Sequence, residues 1–314
     1  MKSYELEYNR EMTAPHNADR DLGSQQHQLA SMQYDLRITN LARFLYSKIK
    51  STFAVIPDTH NVIPSEVEGS LHVGRDDDKC PTLLDVGAGN GLFLKFFKTK
   101  GFQVAGYELE KELVANMKKD PVLKGDMIEQ GDITKLKGKE EYDVVIASDV
   151  IEHIKDDVRA IQGLWSFVKP GGMLLITVPG HSAIYGKRDE MWGHFRRYDQ
   201  KVLLERIDKG ISSFVIPDSD RESRNNSGMD PRVKPEDDRN YEIAFATQWN
   251  VVGFFVYAFY EKVLHKSINE KMRYSNSIPS RFVRFVLDSI LKFEEAIGGV
   301  PLGLTQVVGV RKKN

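Results

Sequence analysis

An apolar run that ends in three alternating glycines constrains this chain more than any other feature. Leu83-Leu84-Asp85-Val86 has the composition of a buried strand, and Gly87-Ala88-Gly89-Asn90-Gly91 follows it. A helical pattern then begins at Leu92 and ends at Gly101. Glycines let a ligand approach the backbone, and the N-terminus of the next helix offers it unpaired N–H groups. The stretch therefore predicts a strand, a tight turn and a helix that together bind a nucleotide-like ligand.

The spacing of these glycines distinguishes between two kinds of nucleotide site. A dinucleotide fingerprint has its third glycine three positions after the second one, where this chain has Leu92. The G-x-G-x-G spacing instead resembles the first motif of class I S-adenosylmethionine-dependent methyltransferases. That resemblance implies that Asp85, Gly87, Gly89 and Gly91 bind the amino-acid part of S-adenosylmethionine.

Two downstream motifs extend the resemblance to the adenosine part of this cofactor. The predicted second strand, Gln103 to Glu108, ends in an acid 23 residues beyond Asp85, and a carboxylate there can accept hydrogen bonds from both ribose hydroxyls. The resemblance implies that Glu108 and the adjacent Leu109 contact the nucleoside. After a short predicted strand at 127–130, it assigns Asp132 to the adenine amino group and Ile133 to packing on the ring.

The clearest predicted strand, 142–149, is almost continuously apolar, as is typical of a central parallel strand. Its end, Ser148-Asp149-Val150-Ile151-Glu152-His153, resembles the family motif that faces the transferable methyl group. Ligands in open α/β sheets lie beyond the carboxyl ends of strands. We therefore expect Ser148 to contact the cofactor. His153 is a candidate proton acceptor, with a role in orienting the loop as the alternative.

A second cluster of functional residue types follows the predicted fifth strand. Lys169-Pro170-Gly171-Gly172 and the apolar strand after it resemble a further signature of the family. Beyond that strand, the element Gly193-His194-Phe195-Arg196-Arg197-Tyr198 resembles one in bacterial methyltransferases of cell-surface glycan or lipid-linked biosynthesis. Because arginine suits carboxylate or phosphate capture, we expect Arg196 and Arg197 to hold an anionic acceptor and His194 to be a second candidate base. A solvated basic turn before a helix at 200–210 is the alternative.

Composition limits the kinds of partner and site. The chain has 314 residues, 41% of them hydrophobic, and a net charge of −1, which argues against non-specific binding to nucleic acid. A single cysteine, Cys80, excludes an internal disulfide and any multi-cysteine zinc site. Histidines and carboxylates show no metal-ligand spacing along the chain, so we expect a reaction without metal. The N-terminus shows no apolar signal segment, which predicts a cytoplasmic location.

Two polar segments of 25 residues each, 55–79 and 215–239, open with Val-Ile-Pro-Asp and close with an acidic cluster beside a base. They resemble translated palindromic repeat elements of bacterial genes, and they carry too little periodic apolar surface to form a core. We therefore predict an N-terminal helical segment (1–54), an inserted disordered loop (55–79) and a cofactor-binding core (80–214). A second inserted disordered loop (215–239) and a C-terminal part that completes the sheet (240–314) follow.

Three apolar segments complete the predicted fold. Residues 31–49 predict a helix that packs on the sheet edge or covers the cofactor. Residues 251–260 predict a buried helix wall, with contact to a membrane or a lipid tail as the alternative; ten residues are too few to span a bilayer. Residues 301–310 predict the last, antiparallel strand. The expected fold is an α/β, Rossmann-like doubly wound sheet with a C-terminal antiparallel strand.

The resemblance implies a methyltransferase that uses S-adenosylmethionine and acts on a small-molecule, glycan or lipid-linked acceptor. Two alternatives remain at the level of sequence. A protein could bind the cofactor without turnover, and an NAD(P)-dependent Rossmann oxidoreductase would share the fold and the position of Glu108. The second alternative is disfavoured by Leu92, which stands where the dinucleotide fingerprint needs glycine.

Overall fold

The computed structural model describes residues 36–53, 80–215, 239–263 and 278–314. The first predicted insertion, 55–79, lies outside the described residues. The second, 215–239, also lies outside them apart from its end residues Val215 and Arg239. The described part contains the whole predicted cofactor-binding stretch and every residue proposed for the site.

A seven-stranded sheet organises the described chain. Its order is β3-β2-β1-β4-β5-β7-β6, and all neighbouring pairs are parallel except β5 with β7 and β6 with β7. The chain moves outward from β1 to β3 in one direction and from β4 to β5 in the other, so the topological switch point lies between β1 and β4. The predicted α/β class with an antiparallel final strand is confirmed. The strands are β1 (Thr82–Val86), β2 (Gln103–Glu108), β3 (Met127–Gln130), β4 (Tyr142–Ser148), β5 (Val168–Pro179), β6 (Tyr241–Trp249) and β7 (Thr305–Lys312).

Helices cover both faces of the sheet because successive strand residues point to opposite sides. Leu83 belongs to one buried cluster, which includes residues of α1, α2 and α8, and Leu84 belongs to the other, which includes residues of α4 and α6. Both layers are therefore apolar cores. The helices are α1 (Leu36–Thr52), α2 (Leu92–Thr99), α3 (Lys111–Lys119), α4 (Asp157–Trp165), α5 (Lys187–Met191), α6 (Gln200–Val215), α7 (Val251–Ala258) and α8 (Ile278–Ala296).

The N-terminal helix packs in the core. Leu41, Phe44, Leu45 and Ile49 of α1 are buried in the same cluster as Phe97 of α2. The described part of this helix therefore packs in the core, against α2 and α8. Residues 31–35 of the prediction lie outside the described chain.

Helix α6 does not end at Gly210 as the sequence suggested. It continues to Val215, and a Cβ at Gly210 would lie 2.7 Å from Cγ2 of Ile161 in α4. This glycine therefore allows two helices to approach each other closely. It is not the end of the helix.

Helix α7 departs most from the sequence prediction. Tyr257 is buried, but Phe255, Val256 and Phe259 keep 59%, 43% and 51% of their surface exposed. The expected buried wall is thus wrong for one side of the helix. A five-residue π-helical turn, Phe259–Val263, continues α7. Among the described residues, the helices are all too short or too polar to cross a bilayer.

Candidate active site

The three glycines of the turn after β1 all adopt left-handed backbone conformations. Their φ angles are +76° at Gly87, +55° at Gly89 and +71° at Gly91, a region that residues with a Cβ rarely adopt. A Cβ at Gly87 would lie 2.5 Å from Val150, and one at Gly91 would lie 2.7 Å from Leu123. A Cβ at Gly89 would meet no described atom within 4 Å. Two glycines are therefore required by packing, whereas the middle one borders open space.

Glu108, at the end of β2, is joined directly to this turn. Its Oε2 accepts a 2.7 Å hydrogen bond from the Gly89 N–H, and its Oε1 accepts a 3.0 Å bond from the Glu110 N–H. Each carboxylate oxygen has two lone pairs, so both oxygens keep acceptor capacity for the hydroxyls of a ribose. The pairing of Val86 in β1 with Tyr107 in β2 holds the turn and the acid side by side.

Asp85 places a second carboxyl group beneath the turn. Its side chain is buried, and within the described structure its Oδ2 has no hydrogen-bond partner. Burial raises the pKa of Asp85 to about 7, and the negative charge of Glu108 contributes to the rise. A buried acid next to another acid favours a cationic ligand. The open space at Gly89, the acceptor capacity of Glu108 and the oxygen of Asp85 together fit the positively charged S-adenosylmethionine.

The residues predicted to contact adenine lie at the carboxyl ends of β2 and β3. Leu109 is 60% exposed and offers apolar surface to a ring. Asp132 accepts hydrogen bonds from the backbone and hydroxyl of Thr134 and pairs with Lys135. The Thr134 hydroxyl is the main cause of the lowered pKa of Asp132. The side chain of Ile133 is buried in the core. These contacts show a turn-stabilising role for Asp132; its contact with adenine stays a prediction.

The end of β4 faces the same edge of the sheet. The hydroxyl of Ser148 lies 2.8 Å from that of Thr177 in β5. Asp149 has a φ of +55°, a strained conformation for a residue with a side chain and one that concentrates at functional sites. A single 3₁₀ turn, Ile151–His153, then brings His153 to the loop that follows β5. This loop comprises residues 180–199 and includes the short helix α5.

Asp189 is the centre of that loop, and sequence reasoning did not select it. Its buried carboxylate accepts hydrogen bonds from Nδ1 of His194 at 2.8 Å, from Nε of Arg197 at 2.8 and 2.9 Å, and from the hydroxyl of Tyr257 at 2.8 Å. Burial alone would raise the pKa of Asp189, but the donors from His194 and Arg197 outweigh it and hold the pKa well below its ordinary value. The position of Asp189 ahead of the Gly-His element was the signal that could have indicated it.

Arg197 is committed to this network. Its guanidinium also donates to the carbonyl oxygen of Gly180 at 3.1 Å and lies 4.1 Å from the ring centre of Tyr257. Its side chain is buried. The structure therefore gives no support to Arg197 as a captor of an anionic acceptor, because its donors point at the loop that it stabilises.

Two further residues of the Gly-His-x-Arg-Arg-Tyr element, Arg196 and Tyr198, contact a second buried carboxylate, that of Asp157. Arg196 pairs with Asp157 at 2.6 Å, and the hydroxyl of Tyr198 donates to the same carboxylate at 2.9 Å. Asp157 is the first residue of α4. The alternative of a solvated basic turn therefore does not describe Arg197 and Tyr198, which are buried, and the carboxylates of Asp189 and Asp157 hold the element in place.

His153 and His194 meet although 41 positions separate them in the sequence. Their ring centres are 4.6 Å apart, and the rings are nearly perpendicular. Desolvation lowers the pKa of His153, and proximity to His194 lowers it further, although the residue keeps one exposed side. Glu152 is fully buried, and one ligand atom from each of Glu152, His153 and His194 lies within 4.8 Å of the others. The separation of these residues in sequence explains why their spacing did not indicate a cluster.

Comparison with known proteins places this site in a family. A family model described as a methyltransferase domain matches residues 46–219, more than half of the chain. Among curated relatives, a ubiquinone biosynthesis O-methyltransferase of Paramagnetospirillum magneticum is 31% identical over 165 residues, which cover 46% of this chain and 66% of the relative. One of Rickettsia felis is 33% identical over 98 residues, 30% of this chain and 40% of the relative. The chain thus spans less than two thirds of the length of these relatives.

The chain was also compared with solved structures. An S-adenosylmethionine-dependent methyltransferase from Mesorhizobium loti matches 74% of this chain and 91% of its own, with 13% identity and a TM-score of 0.45. The strand order, the glycine turn and the family match carry the assignment. The chain belongs to the methyltransferase domain family.

Proposed function

We propose that this methyltransferase transfers the methyl group to a hydroxyl oxygen of a small, lipid-linked molecule, at the cluster formed by His153, His194 and Asp189. The contact between the two imidazoles is the observation that carries the proposal. They lie past the carboxyl ends of β4 and β5, where ligands of such sheets bind. The curated relatives named above are O-methyltransferases, which supports oxygen as the accepting atom.

The residues of the turn form the cofactor side of this site. We assign Asp85, Gly87, Gly89 and Gly91 to the amino-acid part of S-adenosylmethionine and Glu108 to its ribose. The remaining contacts are proposed for Leu109, Asp132, Ile133 and Ser148. The bound cofactor supplies a methyl group that its sulfonium charge has already activated. The protein's own contribution is therefore alignment of the acceptor and exclusion of water.

The acceptor side consists of the imidazole pair and the groups that fix it. In the transfer, the acceptor oxygen would form a bond to the methyl carbon, the electrons of the S–C bond would return to sulfur, and the hydroxyl proton would pass to the imidazole of His153 or His194. We assign activation of the hydroxyl to His153 and His194. Arg197 acts through Asp189, which fixes the orientation of His194 by a 2.8 Å hydrogen bond.

The outer side of α7 supports a lipid-linked acceptor. Tyr257 turns toward the loop and donates to Asp189, whereas Phe255 and Phe259, two positions away on either side, are exposed. On the loop itself, Met191 and Phe195 are each 56% exposed. Exposed apolar groups of this kind mark contact with a partner or a membrane. We propose that this apolar surface, Met191, Phe195, Phe255, Val256 and Phe259, rests on a lipid surface from which the acceptor enters.

Turnover assays test the proposed reaction. Release of S-adenosylhomocysteine is measured with phenols and sugars, each with and without a long alkyl chain. We expect turnover with an alkyl-linked hydroxyl compound and at least a tenfold loss of kcat in His194→Gln, with cofactor binding retained. The absence of turnover with the whole panel in a protein that binds the cofactor would favour the alternative of binding without catalysis.

Vesicle sedimentation tests the lipid contact separately. We expect the full chain to sediment with phosphatidylcholine–phosphatidylglycerol vesicles and a double variant, Phe255→Ser with Phe259→Ser, to remain in solution. Val122→Ser with Val202→Ser is the matched control, because these two exposed apolar residues lie on other helices or turns. Equal sedimentation of both double variants would contradict the proposed surface.

A further inference from the structure

We propose that Glu152, His153 and His194 form a binding site for one divalent transition-metal ion of the Zn²⁺ type. The ligand set is one carboxylate and two imidazoles from two separate segments of the chain. Binding of the ion is independent of the proposed function. Its role toward the acceptor hydroxyl rests on that function.

The distances between the three groups suit a common ion. Their ligand atoms lie within 4.8 Å of one another. Zinc binds imidazole nitrogen and carboxylate oxygen at about 2.0–2.2 Å in a tetrahedral arrangement, which places ligands within about 4 Å of each other. Small rotations of the side chains would therefore bring all three onto one ion.

The main chain holds the two ligand-bearing segments together. The backbone N–H of Phe195, the residue after His194, donates a 2.8 Å hydrogen bond to the carbonyl oxygen of Glu152. Formation of the site thus needs no movement of one segment relative to the other. Glu152 is fully buried, so little water competes for its carboxylate.

Both imidazoles have the outer hydrogen bonds that metal-binding histidines show. Nδ1 of His194 is bonded to Asp189, and the ring of His153 is hydrogen-bonded to the backbone of Gly193. Each ring is thereby fixed, with its other nitrogen available as a ligand. A carboxylate behind a metal-binding histidine is a common arrangement that orients the ring and raises its basicity.

The ligand types select the metal and leave room for the acceptor. Imidazoles favour Zn²⁺ and other transition metals, whereas Mg²⁺ prefers an all-oxygen shell. Three protein ligands leave a fourth tetrahedral position open, as in catalytic zinc sites. Under the proposed function, the oxygen of the acceptor hydroxyl would occupy that position next to the cofactor, and the ion, in place of the imidazoles, would lower the pKa of the hydroxyl so that its proton leaves to water.

Titration of the full chain, produced without a histidine tag and stripped with chelator, tests the site. Zn²⁺ binding is followed by calorimetry and Co²⁺ binding by visible absorbance, with S-adenosylmethionine affinity as the check on folding. We expect one ion per chain at micromolar or tighter affinity and at least a tenfold loss of affinity in His153→Gln and in His194→Gln. His181→Gln is the matched control, because His181 is bonded to Gln248 and Gly303 outside the cluster.

Two results would overturn the inference. One is the absence of stoichiometric binding, and the other is binding that the His153 and His194 variants leave as strong as in the control. Tighter binding of Mg²⁺ than of Zn²⁺ would also contradict it. If the ion does not bind but both variants still lose turnover, this inference fails while the proposed function stands. If the ion binds and no acceptor is methylated, the proposed function fails alone.

Discussion

At the scale of single residues, the glycines of the turn have separate tasks. Gly87 and Gly91 have neighbouring side chains within 3 Å of where a Cβ would lie, whereas Gly89 has none within 4 Å. The sequence motif indicated all three positions but could not separate packing from ligand contact. That distinction depends on Val150 and Leu123, which come from distant parts of the chain.

A pair of alanine variants exploits this difference. We expect Gly89→Ala to cost about 1 kcal/mol of stability, because its φ is positive, and to weaken S-adenosylmethionine binding at least tenfold. Gly87→Ala should lower the stability by about 2–4 kcal/mol, since its Cβ would overlap Val150. Thermal unfolding and calorimetric titration measure the two effects. Equal stability loss in both variants would contradict the separate tasks.

The buried carboxyl of Asp85 predicts a pH dependence of stability. Its pKa is raised to about 7 in the folded chain from 3.8, so the folded state binds the extra proton between these values. Stability of the cofactor-free protein should therefore fall as pH rises from 4 toward 7, with a contribution of up to about 1.4 kcal/mol per pH unit, and stay low above 7.

Asp85→Asn tests the source of this dependence. The variant lacks the titrating group, so we expect its unfolding free energy to fall less between pH 5 and pH 8 than that of the wild type. Its affinity for S-adenosylmethionine should also fall, because the negative charge beneath the turn is lost. Chemical denaturation at several pH values measures the first effect. Parallel pH profiles for the two proteins would show that Asp85 is not the group responsible.

At the scale of elements, the apolar pattern of the sequence predicted the strands but did not predict the buried contacts of the loop after β5. The bounds predicted for β2 and β3 agree with the structure, because the apolar pattern of a strand is a local signal. The Gly-His-x-Arg-Arg-Tyr element looked like a basic surface because its partners are remote. Asp157 precedes it by some 40 residues, and Tyr257 follows it by some 60.

Helix α7 shows why an apolar pattern alone misled. Polar contacts anchor this helix: the carboxylate of Glu294 accepts hydrogen bonds from the N–H groups of Asn250 and Val251, and Tyr257 bonds to Asp189. Asn250 also caps the helix by accepting from the Gly253 N–H. With its position fixed by these bonds, the helix can leave its phenylalanines exposed. Burial depends on such remote partners, which a single sequence does not identify.

Asp189→Asn tests the importance of the loop network. Removing its charge would leave the buried Arg197 without a counter-ion, so we expect a loss of about 3–5 kcal/mol in unfolding free energy. The kcat should fall as well, because His194 would lose its orienting partner. Asp199→Asn is the control, since Asp199 is exposed and bonds Ser182. A loss no larger than in this control would contradict the central place of Asp189.

At the scale of the whole molecule, the glycine turn and the strand pattern predicted an α/β sheet with a nucleotide-like ligand, and the resemblance of these motifs to a known family implied the cofactor. The order of the strands brings the ends of β1, β2 and β4 to one edge, which is why motifs spread over more than 60 positions form one site. The acceptor side required the three-dimensional contacts of His153, His194 and Asp189. Those contacts join segments whose spacing carries no local signal.

The two 25-residue segments give a prediction about the whole chain. The sheet, both cores and the candidate site are formed by residues outside 55–79 and 215–239. We therefore expect a chain that lacks both segments, 264 of the 314 residues, to fold and to bind S-adenosylmethionine as tightly as the full chain. Circular dichroism and calorimetry check this. A deletion variant that fails to fold would show that the segments take part in the structure.

The most direct test of the central claim is calorimetric titration of the folded chain with S-adenosylmethionine, beside a Glu108→Ala variant. The bond between Glu108 and the Gly89 N–H joins the ribose acid to the glycine turn. We predict one site per chain, at least a tenfold weaker affinity in the variant, and no binding of NAD to either protein. Failure of the wild type to bind S-adenosylmethionine, or equal affinity in both proteins, would contradict the account.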